Sequence, residues 1–223
     1  MRSQLDTLWP FKYKAAIFDF DGTIGDSGAV WDKVDKIFLE KRGIAWTPEF
    51  AENLAALGFK EGAQFVIEKY KLNSTAEEIC EEWNNLASNM YRTQVNLRPG
   101  AEKYIRSLKE AGYPVALATT NDKAVISALR PRIDVWELFD AVVFGAEVPR
   151  AKNHPDIYLE AARRLGVDPC GCIVFEDIPE GLTSATKAGM TPCAVRSFEA
   201  TQNLLAIKKA GDFLLEDWSS IPC

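Results

Sequence analysis

Two aspartates lie one residue apart in the pentapeptide Asp-Phe-Asp-Gly-Thr, which begins at Asp19 and directly follows an apolar segment rich in strand-forming residues. In extended backbone, side chains two positions apart point to the same side, so Asp19 and Asp21 can face one site. One carboxylate can attack phosphorus to give an aspartyl-phosphate. The other can protonate the leaving oxygen and later deprotonate water. The alternative interpretation is a strand that ends in a solvated acidic turn.

Hydroxyl and amide side chains follow a second predicted strand, residues 114–118. Thr119 and Thr120 end this strand, and their hydroxyl groups can bind a phosphoryl oxygen. Asn121 comes next and could do the same. The competing interpretation is that these residues only cap the helix that follows.

A lysine and an acidic pair occupy comparable positions further along the chain. Lys152 lies in a loop before a predicted helix, where its charge could neutralise a nucleophile and a phosphate. Glu176 and Asp177 end another predicted strand, and carboxylate oxygens are the ligands that Mg²⁺ prefers. A solvated lysine and an acidic turn are the respective alternatives.

Predicted strands and helices alternate along the chain, and these elements must bring the candidate residues together. Apolar runs predict strands at residues 15–20, 114–118, 141–145, 173–175 and 191–195, with a short apolar piece at 213–215. Helical patterns fall between the strands at residues 101–111, 122–129, 155–165, 179–188 and about 199–210. This alternation predicts an α/β fold with a doubly wound parallel sheet covered on both faces. Ligands bind beyond the carboxyl ends of such strands, so the acid, hydroxyl, amine and second acidic groups are expected at one edge.

Residues 28–86 depart from the alternation, because they show helical spacing throughout. A capping box is predicted at Ser74 and Glu77. We interpret this block as an all-helical cap domain, residues 25–96, inserted into a core domain made of residues 1–24 and 97–223.

Composition and net charge limit the classes of molecule that this protein is expected to bind. The chain has 223 residues, 32 acidic and 26 basic, and a net charge of −6. Such a surface repels polyphosphate backbones, so we expect no nucleic acid partner. The sequence shows no membrane-spanning run and no signal peptide, and its five cysteines have irregular spacing. We therefore expect no membrane partner, a cytoplasmic location, and a monomer or homodimer.

Four of these features together resemble the four motifs of the haloacid dehalogenase-like hydrolase superfamily. They are the Asp19-x-Asp21-Gly-Thr segment, the strand-end Thr119, Lys152 and the Glu176-Asp177 pair. The position of the helical block resembles the subfamily that includes phosphoglycolate phosphatases and β-phosphoglucomutase. The resemblance covers the chain from about Lys14 to Val195.

The resemblance implies a catalytic role for four residues. Asp19 would be the nucleophile, and Asp21 would be the general acid and base. Thr119 would bind phosphate, while Lys152 would orient and neutralise the reacting groups.

The resemblance also implies a Mg²⁺ cofactor. Asp19 and Asp177 would be ligands, Asp21 would contribute its backbone carbonyl, and Glu176 would either ligate the ion or support the site.

The function expected from these features is a Mg²⁺-dependent phosphatase of a small phosphorylated metabolite. The alternative is a β-phosphoglucomutase-like sugar phosphomutase. That family has a hinge histidine where this chain has Trp31, and an arginine-bearing loop where this chain has residues 58–61. Trp31 and Lys60 are the residues of the cap that we expect to contact the substrate.

Two other protein classes also combine some of these residues. Signalling receiver domains use acids, a threonine and a lysine, but they are shorter and carry their phosphorylated aspartate on a middle strand. A catalytically idle binding protein would be expected to have lost some of the four charged residues Asp19, Asp21, Lys152 and Asp177, and all are present.

Overall fold

The fold was analysed in a computed structural model that describes residue 8 and residues 11–55, 57–150, 152–198 and 202–223. Within these residues the strands are β1 (Ala15–Phe18), β2 (Gly25–Asp26), β3 (Asn96–Leu97), β4 (Val115–Thr119), β5 (Ala141–Phe144), β6 (Cys172–Glu176), β7 (Thr191–Val195) and β8 (Phe213–Leu215). Six of them form one sheet in the order β5-β4-β1-β6-β7-β8, and every neighbouring pair is parallel. The predicted parallel sheet is confirmed, and the apolar piece near the C-terminus is its last strand.

The first strand lies in the middle of the sheet, which decides where the functional residues meet. Phe18 at the end of β1 pairs with Leu117 of β4 on one side and with Phe175 of β6 on the other. Asp19, Thr119 and Glu176 stand at or just beyond the carboxyl ends of these three adjacent strands. The expected convergence at one edge of the sheet therefore holds.

Helices cover both faces of this sheet. The helices in the described residues are α1 (Gly28–Glu40), α2 (Pro48–Ala55), α3 (Phe59–Tyr70), α4 (Ala76–Thr93), α5 (Ala101–Glu110), α6 (Lys123–Ser127), α7 (Val135–Leu138), α8 (Asp156–Leu165), α9 (Pro179–Lys187) and α10 (Leu204–Ala210). Residues of β1 alternate between two cores: Ala15 and Ile17 pack with α8, while Phe18 packs against Tyr104 of α5. All four residues of β1 are buried, as expected for a strand inside a doubly covered sheet.

The helical block consists of α1 to α4 and leaves the sheet between β1 and β4. The short strands β2 and β3 pair in antiparallel fashion, with Asp26 opposite Asn96, so the chain enters and leaves the block side by side. Trp83 packs against the rings of Phe38 and Phe59, which gives the block an apolar interior of its own. No helix in the part of the chain that the structure describes is long and apolar enough to cross a membrane.

The capping box of α4 differs from the predicted one by a residue. The N-cap is Thr75, whose hydroxyl oxygen accepts a hydrogen bond from the backbone N–H of Glu78 at 3.2 Å. The Glu78 carboxylate in turn accepts from the backbone N–H of Thr75 at 2.9 Å. Both Ser74/Glu77 and Thr75/Glu78 satisfy the sequence rule. In the structure the helix begins at Ala76, and Ile79 and Trp83 on it are buried in the apolar interior.

The last helix also begins later than expected. Leu204 is its first residue, and the side chain of Asn203 caps it by accepting from the backbone N–H of Ala206 at 3.0 Å. Residues 199–201, where this helix was predicted to start, lie outside the described residues.

The position of the capping box can be tested by two alanine substitutions. Thr75→Ala removes the acceptor for an N-terminal backbone donor, so it should lower the free energy of unfolding by about 0.5–2 kcal/mol. Ser74→Ala is the matched control and should change it by less than about 0.5 kcal/mol. Urea denaturation followed by circular dichroism measures both. The reverse ranking of the two variants would place the cap at Ser74 after all.

Candidate active site

The loop that carries the two aspartates is fixed by contacts from distant parts of the chain. The backbone N–H of Ile24 donates to the carbonyl of Phe20 at 3.0 Å, which closes a tight turn. Trp218 donates its indole N–H to the carbonyl of Thr23 at 2.9 Å. Arg98 donates to the carbonyl of Gly22. The loop is thus held in one conformation at the end of β1.

Gly22 is required by the close approach of another part of the site. Its φ is +70°, a conformation that favours glycine, and an added Cβ would lie 2.2 Å from a carboxylate oxygen of Asp177. The glycine therefore lets the loop after β1 pass directly beside the acidic end of β6.

Lys152 lies between two carboxylates at this edge of the sheet. Its amine donates to a carboxylate oxygen of Asp19 and, at 2.9 Å, to Oε2 of Glu176. The side chains of all three residues are buried, at 3% exposure or less. Burial alone would lower the pKa of Lys152, but the two carboxylates outweigh it, so the pKa is raised and the amine stays protonated.

Glu176 holds the lysine and is itself held from several directions. Its Oε1 accepts from the backbone N–H groups of Asp177 at 3.0 Å and Ile178 at 3.3 Å. Its Oε2 accepts from the hydroxyl of Tyr158 in α8 at 2.6 Å as well as from Lys152. Burial, together with the Glu176 charge, raises the pKa of Tyr158, which therefore remains a donor. Tyr158 was not among the predicted site residues.

Asp19 is the central group of this arrangement. One of its oxygens accepts from Lys152, and the other accepts from the hydroxyl of Thr23 at 3.1 Å. Burial and the neighbouring Glu176 charge raise the pKa of Asp19, whereas Lys152 opposes that shift. Two donors thereby orient the carboxylate, while burial and the Glu176 charge disfavour its ionised form.

The site contains a set of oxygens suited to a divalent cation. Ligand atoms of Asp19, Glu176 and Asp177 all lie within 4.8 Å of one another. These three carboxylates and the single ammonium of Lys152 leave two negative charges in a buried place, which a divalent cation would neutralise. Hard carboxylate oxygens match the preference of Mg²⁺, so the donor set fits that ion. The carboxylate of Asp21 is not part of this cluster.

The carboxylate of Asp21 is instead bound by a ring of donors. It accepts from the hydroxyl of Ser27 at 2.6 Å, from the indole N–H of Trp31 at 2.9 Å, and also from the hydroxyl of Tyr91 and the amide of Asn121. Trp31 belongs to α1 and Tyr91 to α4, so two helices of the inserted block orient a carboxylate that the core provides. Sequence reasoning missed Ser27 and Tyr91. Tyr91 lies 70 residues from Asp21, and no local pattern links the two.

The remaining predicted residues divide between the cavity and its surroundings. Thr120 and Asn121 line the same cavity as the two aspartates. Thr119 is fully buried, and its hydroxyl accepts from the backbone N–H of Asn121 at 3.1 Å. Lys60 is exposed and forms an ion pair with Glu77 at 3.4 Å, so the structure does not bring it to the cavity.

The cavity itself lies between the sheet edge and the helical block. Its volume is about 410 Å³, which falls within the range of roughly 300–1,000 Å³ typical of small-molecule sites. Asp19, Asp21, Lys152 and Asp177 line its inner end, and Trp31 lines it from α1. Trp31 was expected to face the substrate. It does line the cavity, and it also binds the carboxylate of Asp21.

A parallel α/β core with a helical insertion, and a buried Asp-Lys-Glu-Asp cluster at its carboxyl edge, define a class of hydrolases. The model of the family described as "Haloacid dehalogenase-like hydrolase" matches residues 16–195. The chain belongs to this family.

Known proteins with similar sequences or structures agree with that assignment. The chain is 32% identical over 212 residues to the "Bifunctional riboflavin kinase/FMN phosphatase" of Arabidopsis thaliana, covering 92% of this chain but only 56% of that longer protein. It is 33% identical to the "Probable pseudouridine-5'-phosphatase" of Drosophila melanogaster, covering 80% of each chain. A crystal structure of CbbY from Rhodobacter sphaeroides in complex with xylulose 1,5-bisphosphate superposes with a TM-score of 0.82 at 25% identity, covering 94% of this chain and 96% of that one. With the family match, these relatives identify the chain as a hydrolase of the phosphatase type.

The contact between Trp31 and Asp21 predicts a role for the indole N–H in catalysis. Trp31→Phe keeps an aromatic ring but removes the donor to Asp21, so kcat for a small substrate such as acetyl phosphate should fall about tenfold. The KM for acetyl phosphate should stay unchanged, because Trp31 acts on the carboxylate and not on this substrate. Steady-state phosphate release measures both constants.

Trp46→Phe is the matched control for that variant. Trp46 also lies in the helical block, and its buried indole N–H has no partner among the described residues. The Trp46→Phe substitution should leave kcat for acetyl phosphate unchanged. A Trp31→Phe enzyme with wild-type kcat would show that the hydrogen bond to Asp21 has no catalytic effect.

Proposed function

We propose that this protein is a Mg²⁺-dependent phosphatase of a small phosphorylated metabolite and that Asp19 is its covalent nucleophile. The observation that carries the proposal is the pairing of two differently held carboxylates in one cavity. Asp19 is fixed by Lys152 and Thr23, and Asp21 is fixed by donors from the helical block.

The two carboxylates divide the chemistry between them. In the first step an oxygen of Asp19 bonds to phosphorus while the bond to the leaving oxygen breaks, and Asp21, which enters this step protonated, gives that oxygen its proton. In the second step Asp21 takes a proton from water, the water oxygen attacks the phosphorus of the aspartyl-phosphate, and Asp19 leaves as a carboxylate with phosphate released. Each step moves one proton, and Asp21 ends as it began.

Lys152 and the strand-end residues bind the phosphoryl group in this proposal. The ammonium of Lys152 offsets the negative charge that gathers around Asp19 during the attack. Thr120 and Asn121 line the cavity and can donate to phosphoryl oxygens. The buried hydroxyl of Thr119 accepts a hydrogen bond from the backbone N–H of Asn121 and so helps to position that residue.

The metal would be held by Asp19 and Asp177, with the backbone carbonyl of Asp21. Glu176 already accepts four hydrogen bonds from described residues, so we assign it to supporting Lys152 and the shape of the cluster. When bound, Mg²⁺ supplies positive charge that reduces the repulsion between Asp19 and the phosphoryl oxygens.

The substrate class is supported by the names of the relatives. Those named above are phosphatases of FMN and of pseudouridine 5'-phosphate, which are organic monophosphates. We propose in addition that residues 25–96 form the cap domain over residues 1–24 and 97–223, and that the cap contributes to substrate choice.

The β-phosphoglucomutase-like alternative requires a place for a second phosphate. Lys152 is the one lysine or arginine among the described residues that line the cavity, and it is already paired with Asp19 and Glu176. Water is therefore favoured over a sugar phosphate as the acceptor.

The covalent step predicts the effect of one isosteric substitution. Asp19→Asn replaces the nucleophilic carboxylate by an amide, so phosphate release should fall to the detection limit. Binding of inorganic phosphate should persist, because one negative charge has been removed from the site. Asp26→Asn, at an exposed aspartate of β2, is the control and should behave as wild type. Turnover by Asp19→Asn at a rate near wild type would exclude Asp19 as the nucleophile.

The metal requirement can be tested on the same reaction. Exhaustive treatment with EDTA should abolish phosphate release, and added Mg²⁺ should restore it. Asp177→Ala removes a proposed ligand, so a higher Mg²⁺ concentration should be needed for half-maximal activity, whereas Asp26→Ala should leave that concentration unchanged. Full activity after metal removal would contradict the proposed cofactor.

A further inference from the structure

One face of α1 extends from the catalytic end of the cavity outwards. Gly28, Trp31, Asp32 and Asp35 recur at helical spacing, and all four line the cavity. Trp31 contacts Asp21, and Asp35 lies four residues further along, which is about one helical turn or 6 Å. Asp35 therefore lies beside the part of the cavity that the organic portion of a phosphate ester would occupy.

Asp35 is a buried carboxylic acid without a partner. It is 7% exposed, and no described residue donates a hydrogen bond to it or forms an ion pair with it. The lysines of the same helix, Lys33 and Lys36, are exposed on other sides. Burial and the nearby Asp32 raise the pKa of Asp35 to about 7. A carboxylate on a cavity wall that no described side chain or backbone group occupies keeps its oxygens available as acceptors for a ligand.

The surroundings of Asp35 restrict what that ligand can be. Asp32 and Glu52 add further carboxylates to this part of the wall, and the rings of Trp31, Phe59 and Trp83 supply apolar surface. Lys152, the one cation among the described lining residues, is occupied at the opposite end of the cavity by Asp19 and Glu176. The outer wall thus offers hydrogen-bond acceptors and rings, but no positive charge for an anion among the described residues.

We propose that Asp35 is a specificity residue of this enzyme and that its carboxylate accepts a hydrogen bond from a hydroxyl or amino group on the organic part of a monophosphate. The same wall repels a substrate that carries a second phosphate there. This inference rests on the proposed phosphatase function and names the substrate class of that site. It separates the chain from its relative CbbY, whose crystal structure holds a sugar bisphosphate.

The test compares Asp35→Ala and Asp35→Asn with the wild-type enzyme on matched substrates at pH 8, above the pKa of Asp35, where its carboxylate is ionised. Glucose 6-phosphate and glucosamine 6-phosphate differ by a hydroxyl and an amino group. Fructose 1-phosphate and fructose 1,6-bisphosphate differ by a second phosphate. Acetyl phosphate is too small to reach Asp35 and reports on the chemical step alone. Glu40→Ala, at the exposed end of the same helix, is the control variant.

In Asp35→Ala the acceptor is lost. The kcat/KM for the sugar monophosphates should fall by about 10- to 100-fold, mainly through KM, while acetyl phosphate should be cleaved as before. The amide of Asp35→Asn keeps an acceptor oxygen but has no charge. That variant should retain most activity on glucose 6-phosphate, lose any preference for the amino sugar, and discriminate less against the bisphosphate.

Several outcomes would overturn the inference. Unchanged kcat/KM for all sugar phosphates in both variants would exclude a contact with Asp35. An equal loss on every substrate, including acetyl phosphate, would show that Asp35 supports the fold or the chemistry instead. If Asp35→Ala does not fold, the isosteric Asp35→Asn carries the comparison by itself.

Failure of the proposed function would give a different result. A wild-type enzyme that releases phosphate from none of the sugar phosphates and not from acetyl phosphate is not the proposed phosphatase. Calorimetric binding of glucose 6-phosphate to wild type and to Asp35→Ala still measures the Asp35 contact in that case, and equal affinities would overturn it.

Discussion

The ammonium group of Lys152, buried between Asp19 and Glu176, is the interaction on which the rest of the site depends. A parallel sheet brings the ends of β1 and β6 together, and in this chain each of those ends is acidic. Buried carboxylates at such distances repel one another strongly unless a positive charge lies among them. Removing the lysine would leave uncompensated charges in the interior, so both the shape of the cluster and its chemistry depend on that one amine.

The other contacts around the cluster can be understood as the means of keeping this ion pair in place. Tyr158 and two backbone N–H groups occupy the oxygens of Glu176, so that carboxylate has a fixed orientation towards Lys152. Gly22 leaves room for Asp177 beside the loop after β1. The cluster retains two formal negative charges after the lysine is counted, which is the charge that a divalent cation would balance.

Asp21 links the core to the helical block. Its donors Trp31 and Tyr91 come from α1 and α4, so any displacement of the block away from the sheet would remove both of them at once. The position of the block and the orientation of the second carboxylate are therefore coupled by direct hydrogen bonds. The chain enters and leaves the block through the short β2–β3 pair.

Charge is distributed unevenly along the cavity, with consequences for what can enter it. The part of the wall that the core provides combines the cation Lys152 with carboxylates and with the side chains of Thr120 and Asn121. The part that the helical block provides has Asp32, Asp35 and Glu52 together with aromatic rings. Under the proposed function, an ester with one phosphate and a hydroxylated organic portion would match both parts, whereas a bisphosphate would match only one.

The sequence by itself determined the alternation of strands and helices, the parallel sheet and the residues at the ends of its strands, but not the order of the strands or the helix α7. Two rules were enough to predict that Asp19, Lys152 and Asp177 lie together. Strand periodicity is a local property of the sequence, and the binding of ligands at the carboxyl edge follows from the topology of a parallel sheet. The structure selected Thr75 over Ser74 as the N-cap of α4, a choice that the sequence rule alone leaves open. Only the tertiary structure decided the partners of Asp21 and the exclusion of Lys60 from the cavity. These features depend on how each helix is rotated about its axis and packed against residues far away in the chain. A pattern of neighbouring residues does not encode that rotation, so the burial of Asp35 and the reach of Tyr91 appear only in the folded molecule.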